Sequence, residues 1–331
     1  MLDERKSAIL AAVVQEHIAT AQPVGSGSIA RSPAIDVSSA TVRSELSLLE
    51  REGYLIQPHT SAGRIPTDKG YRYFVDTMAR PRTLDSTSRR QVGEFFSAAH
   101  VRLEELLHQT SNLLAELTHN AAVVVGPRAE AVAVRRMQLV GLSDTLATVV
   151  LVLANGTVEN VSLELRPGDD DDRLAAASAH LSSQLDGRVL GEVVELAPSG
   201  DGDVDRLAAS ALERVQTVVS ADHVYTGGAS EVARAFDAVE VVRSVLHTLE
   251  QQFVVVSLVS DIVNRGMSVA IGVEHGVEPL SACSVVVSPV VVEGEHVGSV
   301  GVLGPTRMNY PKALATVEVV SEQLGQRIEE G

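Results

Sequence analysis

The segment from Val37 to Val75 constrains this chain most, because within it a helix must start, stop and give way to a tight turn. Ser38 and Ser39 offer hydroxyls to the free backbone N–H groups of a helix start. At 100° per residue, Val42, Leu46 and Leu49 then fall on one buried stripe. Gly53 supplies the left-handed backbone that ends such a helix. The opposite face carries Ala40, Ser44, Ser47 and Arg51, with Arg43 at its edge. Small, hydrogen-bonding residues and a guanidinium on the outward face of a short helix suit a DNA major groove, where bulky side chains would hold the backbone away from the base edges. The contact set expected on this helix is Ser39, Ala40, Thr41, Arg43, Ser44 and Ser47.

Two short strands are expected next, Tyr54 to Gln57 and the approach to Ile65, turned by Pro58-His-Thr-Ser-Ala-Gly-Arg64. The tip offers His59, Thr60, Ser61 and Arg64, which suit phosphate contact or minor-groove insertion. Alone, a polar-tipped hairpin is equally an ordinary surface turn. Attached to the preceding helix, it reads as the wing of a winged helix-turn-helix. Pro66 and Thr67 then open a further helix to Met78 with Tyr71, Phe74, Val75 and Met78 on its apolar face. Lys69 and Arg72 on that helix are placed to touch phosphates, a solvated helix face being the alternative.

Ser38-Ser-Ala-Thr-Val-Arg-Ser-Glu45 and Gln57-Pro-His-Thr-Ser-Ala-Gly-Arg-Ile-Pro-Thr-Asp-Lys-Gly-Tyr-Arg72 resemble the DNA-binding module of the heat-inducible transcription repressors called HrcA. The chain departs from that pattern at Ser44, where the family is expected to have asparagine, and at Gly27, where lysine is usual. Val297-Gly-Ser-Val-Gly-Val-Leu-Gly-Pro-Thr-Arg-Met-Asn-Tyr310 is similar to the family's closing motif. Ser284-Val-Val-Val-Ser-Pro289 resembles the strand before it, with Val290 where a tyrosine is common. The resemblance implies a dimer with an inserted dimerising domain, double-stranded DNA carrying an inverted repeat (CIRCE-type) upstream of chaperone operons as target, and a GroEL-type chaperonin as partner.

With 331 residues and 45% hydrophobic content, the chain can bury two or three cores. No apolar run approaches the roughly 20 residues that cross a bilayer, so no membrane association is expected. The acidic start Met1-Leu-Asp-Glu argues against a secretory signal, and the lone Cys283 fits a reducing cytoplasm. Net charge of −16 argues against DNA binding until its distribution is considered. Of the 27 Lys and Arg and 43 Asp and Glu, residues 1–82 hold ten and nine, leaving 17 basic against 34 acidic beyond. An acidic body on a nearly neutral head repels DNA everywhere except at the head, although it also simply keeps a protein soluble.

The remaining periodicities give the order of elements. Helices are expected over Leu2–Thr20 and Ser28–Arg31, the latter capped by Ser26 or Ser28. Gly25-Ser-Gly27-Ser-Ile-Ala30 matches a dinucleotide fingerprint but lacks the preceding strand that fingerprint needs. A long helix is expected from Arg89 to His119, then strands at Ala121–Val125, Val132–Leu142, Thr145–Leu153 and Thr157–Leu165, with Asn155-Gly156 as a hairpin turn. Pro167-Gly-Asp-Asp-Asp-Asp172 reads as the acidic first turn of a helix, Arg173–Leu185, and not as a calcium loop, which needs a glutamate at loop position 12. Helices at Val204–Val219 and Val239–Gln252 follow, separated by Tyr225-Thr-Gly-Gly228. Strands at Phe253–Leu258, Met267–Val273, Cys283–Val292 and Val297–Leu303 come next, before a last helix, Pro311–Arg327.

The expected fold class is therefore α+β. It comprises a winged helix-turn-helix head (1–80), a linker (81–90), a GAF-like antiparallel sheet domain in two parts (91–166 and 251–331) and a mostly helical insert (167–250). Catalysis finds no support: the chain has no G-x-S-x-G, H-E-x-x-H or P-loop. His100, His108 and His119 lie too far apart for the i, i+4 pairing of a helical metal site, and no cofactor is expected. Gly298, Gly301 and Gly304 read as strand glycines allowing tight packing. Glu274 and His275 read as solvated residues at a strand end. Two functions are in contention: an operator-binding repressor, and a regulator whose GAF-like domain senses a small effector. Three percent aromatics and no tryptophan supply a ring-stacking pocket poorly.

Overall fold

The computed structural model describes residues 2–60, 62–77, 83–98, 101–126, 133–154, 156, 158–189, 196–219, 224–236 and 238–330. They form two compact units of mixed helix and antiparallel sheet, one from Met1–His100, Leu106–Val125 and Val224–Gly331, the other from Val101–Glu105 and Gly126–His223.

The first unit opens with helix α1 (Glu4–Thr20), started where the Asp3 carboxylate accepts the Lys6 N–H at 2.8 Å and buried along Ile9, Leu10, Val13 and Val14. A four-residue helix α2 (Ser26–Ile29) leads to α3 (Ser39–Arg51). Ser38 caps α3 by accepting the Thr41 N–H, and Val42, Leu46 and Leu49 are buried as the spacing requires. Gly53, at φ +80°, donates to Glu50 O at 3.0 Å while Tyr54 N–H reaches Leu49 O at 2.9 Å. This paired closure satisfies carbonyls that the helix end would otherwise orphan. Strands β1 (Leu55–Ile56) and β2 (Ile65–Pro66) pair antiparallel, and Val24 adds a bridge to Arg64. Gly63 permits that approach, since any Cβ there would strike the Val24 carbonyl. Helix α4 (Asp68–Thr77) buries Gly70, Tyr71 and Phe74. Ser61, residues 78–80 and residues 81–82 of the expected linker lie outside the described residues.

A five-stranded sheet completes this unit: β3 (Ala121–Val125), β7 (Val224–Gly227), β8 (Val269–Ile271), β9 (Cys283–Val292) and β10 (Glu295–Pro305), in the spatial order β7-β3-β10-β9-β8. Both faces are covered. On β9 the odd-numbered Val285 and Val287 join Val255, Leu258, Val259 and Ile262 in one core. The even-numbered Ser284 and Ser288 face helix α12 (Tyr310–Glu330), hydrogen-bonding Tyr310 Oη at 2.8 Å and Ser321 Oγ at 2.9 Å. The strand glycines do permit close packing: a Cβ on Gly301 would sit 2.9 Å from a Val287 methyl, and one on Gly304 would run into Asn120 Oδ1.

The second unit is a three-stranded meander, β4 (Val134–Ser143), β5 (Leu146–Leu153) and β6 (Val158–Glu164). Helices α7 (Asp171–Leu185) and α8 (Gly202–Val219) cover one face. Asp170 caps α7, so the acidic run is a helix start. Ser178 and Ser182 on α7 hydrogen-bond Leu139 N–H and Met137 O at 2.8 Å each, partly sealing the outer edge of β4.

Several expectations need correction. The long helix is two, α5 (Ser86–Ala98) and α6 (Leu103–Thr118). Phe253–Leu258 is not a strand but belongs to α11 (Gln252–Asn264), whose buried Val255, Leu258, Val259 and Ile262 repeat at helical spacing. Only Val269–Ile271 of the next expected strand is extended, and Gly272–His275 closes it as a 3-10 turn. The separator Tyr225–Gly228 largely forms β7, paired with β3. The segment standing apart is thus 126–223, and it contains sheet as well as helix. Helices α9 (Ala229–Ala235) and α10 (Val239–Glu250), placed in the insert from sequence, pack in the first unit. Asn155 and Thr157 of the expected turn, and Val132, lie outside the described residues. No described helix is long and apolar enough to cross a membrane.

Cys283 is fully buried in β9, and burial pushes its thiol up to about 12. Its reaction with a thiol reagent should therefore track unfolding and not proceed in the native protein; stoichiometric labelling within minutes under native conditions contradicts this packing. Gly304→Ala should cost about 1–3 kcal/mol in urea unfolding, because Asn120 must move. An unchanged midpoint contradicts it.

Candidate nucleic-acid interface

The outward face of α3 is made by Ser39, Ala40, Arg43, Ser44 and Arg51, all exposed. Their exposure follows from the burial of Val42, Leu46 and Leu49 on the other side. Thr41 and Ser47 are only half-exposed. The Thr41 hydroxyl lies 3.0 Å from Ser38 Oγ, and Ser47 Oγ donates to Arg43 O at 3.1 Å. Ser39 Oγ lies 3.3 Å from Ser26 Oγ, joining the two helix starts. Arg43 is therefore the guanidinium that the fold presents at the first turns of α3, with Arg51 at its end.

The hairpin tip is braced from inside. Gln57 Nε2 donates to Thr60 O at 3.0 Å and to Ala62 O at 2.9 Å, leaving His59 and Thr60 exposed. Ser61 lies outside the described residues. Arg64 is not extended into solvent: its Nε donates to Glu50 on α3 at 2.9 Å, with the arginine side chain 18% exposed. That bond ties hairpin to helix, so the two present their polar residues from one rigid body.

The remaining cations expected at phosphates are also engaged. Lys69 Nζ donates to Glu52 O at 2.8 Å, near the carboxyl end of α3, and sits 4.3 Å over the Tyr54 ring. Arg72 donates through Nε to Glu274 Oε1 at 2.9 Å, through Nη2 to Glu274 Oε2 and to Val269 O at 2.8 Å, and through Nη1 to Asp76 at 3.1 Å. A phosphate would have to replace this set, so the structure gives Arg72 a different place from the one expected. The structure thus brings together Ser39, Ala40, Arg43, Ser44, His59 and Thr60 as exposed groups, ties Arg64 and Arg72 to carboxylates, and leaves Lys69 exposed but bonded to the Glu52 carbonyl.

Sequence reasoning missed His17 and Tyr71 as a pair. Tyr71 Oη lies 2.7 Å from His17 Nδ1, linking α4 to α1. Burial, reinforced by Arg307, lowers the His17 imidazole below its usual value, and burial raises the Tyr71 phenol. Both are therefore neutral near pH 7. The signal available was only the helical placement of each on its own apolar face. Glu274 was read as solvated, and its partnership with Arg72 spans 202 positions.

The family model described as HrcA protein C terminal domain matches residues 104–314. A heat-inducible transcription repressor HrcA from Rhodococcus jostii (strain RHA1) is 38% identical over 99% of both chains. One from Cutibacterium acnes is 36% identical over the whole of both. A crystal structure of a hypothetical protein at 2.2 Å resolution superposes with a TM-score of 0.69 at 24% identity, covering 100% of this chain and 99% of that one, which speaks to the fold alone. Identity of this degree over nearly the whole of both chains makes the chain a member of the heat-inducible transcription repressor HrcA family.

Proposed function

We propose that this repressor acts on duplex DNA as a homodimer, with two winged-helix heads reading the two halves of an inverted-repeat operator upstream of chaperone genes. The observation that carries this reading is the exposed, small-residue face of α3 with Arg43 on it, rigidly tied to the hairpin through Glu50 and Arg64. α3 is the reading helix and β1–β2 the wing, whose exposed His59 and Thr60 lie at the tip, with Ser61 next to them in sequence. A dimer supplies two such heads related by the same two-fold symmetry as a palindromic site. Support for the second unit as the dimerising insert comes from its meander, where Val140, Leu142 and Val158 are 41%, 60% and 43% exposed. The five-stranded sheet with helices on both faces is the GAF-like body, and a GroEL-type chaperonin that maintains the folded repressor completes the reading.

The alternative, a small effector bound in the body, is disfavoured by the packing. Between the sheet and α10–α11 the described residues leave a cavity of about 10 Å³, lined by Val123, Leu249, Leu258 and Leu303 among others. Ligand sites are typically about 300–1,000 Å³.

Three measurements test the reading. A gel shift on upstream DNA from chaperone genes should show preference for an inverted repeat over scrambled duplex, strengthened by chaperonin; no preference at low ionic strength, even with chaperonin, overturns it. Arg43→Ala should lose about 1–3 kcal/mol on the operator and relax base preference. Equal loss on random DNA retires its base-reading role. Arg64→Ala should weaken binding without changing the salt slope, since Glu50 already neutralises it; a slope flattened by about 0.9 puts Arg64 on a phosphate.

A further inference from the structure

Helix α4 belongs to the head by its buried face and to the sheet domain by its polar one. Asp68, Arg72 and Asp76 recur every four residues and so form one stripe. Arg72 meets Glu274 through two parallel N–H···O bonds and also holds the Val269 carbonyl on β8. Both side chains are largely buried, at 25% and 27% exposure. One turn earlier, the Asp68 carboxylate lies against Gly272 and 3.5 Å from the Val273 N–H. Gly272 has φ +55°, and any Cβ there would run into Asp68.

The receiving turn is itself preset. Glu274 Oε2 accepts the Ile271 N–H at 2.8 Å, and Arg265 Nη2 donates to the Glu274 carbonyl at 3.0 Å. Burial pushes the Glu274 carboxyl up, but Arg72 and the Ile271 N–H outweigh it and hold the group below the usual carboxylate range. The pair is therefore charged near neutral pH. Beside it the Tyr71 ring stands 6.0 Å from that of Tyr310, the first residue of α12.

We propose that Arg72 and Glu274, with Asp68 seated on Gly272, are positioning residues for operator recognition: they lock the head to the sheet domain at one angle and so set the half-site spacing the repressor accepts. The inference rests on the reading of paired heads on an inverted repeat. Eight residues separate α4 from α5, a reach of roughly 26–29 Å if extended. A covalent connection of that length does not by itself fix an angle. Changing a half-site separation by one base pair moves it by about 3.4 Å and turns it by about 35°. Only a noncovalent joint of fixed geometry makes the protein sensitive to so small a change.

The test measures binding of the full-length protein to four duplexes. These are the inverted repeat from its chaperone-gene upstream region, that repeat with the spacer lengthened or shortened by one base pair, and a single half-site. The wild type is expected to favour the natural spacing by about tenfold or more. Glu274→Gln should reduce that preference to about threefold or less, while half-site affinity stays within about twofold. The reversed pair, Arg72→Glu with Glu274→Arg, should restore it in part. Asp68→Asn, which weakens the same joint, serves if Glu274→Gln lacks the native circular dichroism spectrum, and the same loss of spacing preference is expected. Undiminished spacing preference in a folded variant overturns the lock. So does a loss shared by half-site and operator in Arg72→Gln and absent in Glu274→Gln, which would put Arg72 on DNA. A wild type that binds inverted repeat and half-site alike removes the paired-head reading itself, and the inference with it; preference for the repeat in the wild type with unchanged variants removes the inference alone.

Discussion

Burial of Tyr71 is the constraint on which the first unit depends. It is 2% exposed, and its hydroxyl is matched to His17 on α1. Its ring lies beside Tyr310, whose own hydroxyl reaches Ser284 on β9. A chain of aromatic and polar contacts thus runs from the first helix of the head to the middle of the sheet. Removing one phenol strands a neutral imidazole on one side and opens a gap against α12 on the other. Unsatisfied buried groups and lost packing both cost free energy, so α4 cannot shift without disturbing two cores.

What was legible from sequence divides along the range of the interactions. Helix α3 was readable because its start, stripe and stop lie within residues 38–53: Ser38, Val42, Leu46, Leu49 and Gly53 each act on near neighbours. Strands β3 and β9 have the expected bounds for the same reason. At Phe253–Leu258 residue type and spacing point to different elements. Valines favour strands, yet Val255, Leu258, Val259 and Ile262 sit at three- and four-residue intervals, and burial of that stripe on the sheet overrides the propensity. The misplaced limits of the insert have another cause. Three consecutive antiparallel strands, 134–164, look continuous with β3, but β3 pairs instead with β7 and β10, across the excursion. Nothing local distinguishes a strand that continues a sheet from one that begins another.

The candidate site was legible in its exposed half only. Helical geometry places Arg43 outward whatever the rest of the chain does, so its exposure followed from the stripe behind it. The engagement of Arg64, Lys69 and Arg72 depends on acceptors 14, 17 and 202 residues away, and a basic residue beside a candidate DNA surface gives no sign of such partners.

That distribution of charge makes recognition depend on shape. Sequence-independent affinity for DNA grows with the number of phosphates a protein neutralises. Here Lys6, Arg64 and Arg72 already face Glu52, Glu50 and Glu274, while the 249 residues after Arg82 carry twice as many acidic as basic groups. Little general attraction is left to hold a badly arranged head on DNA. On the proposed reading, affinity must then come from the fit of α3 and the hairpin, which the internal ion pairs preserve. Because those pairs exist only in the folded chain, loss of structure on the proposed reading disperses the groups that fit the duplex, and the cations it releases add attraction that does not depend on sequence. For a heat-inducible repressor, occupancy of DNA thereby becomes a readout of the integrity of its own fold.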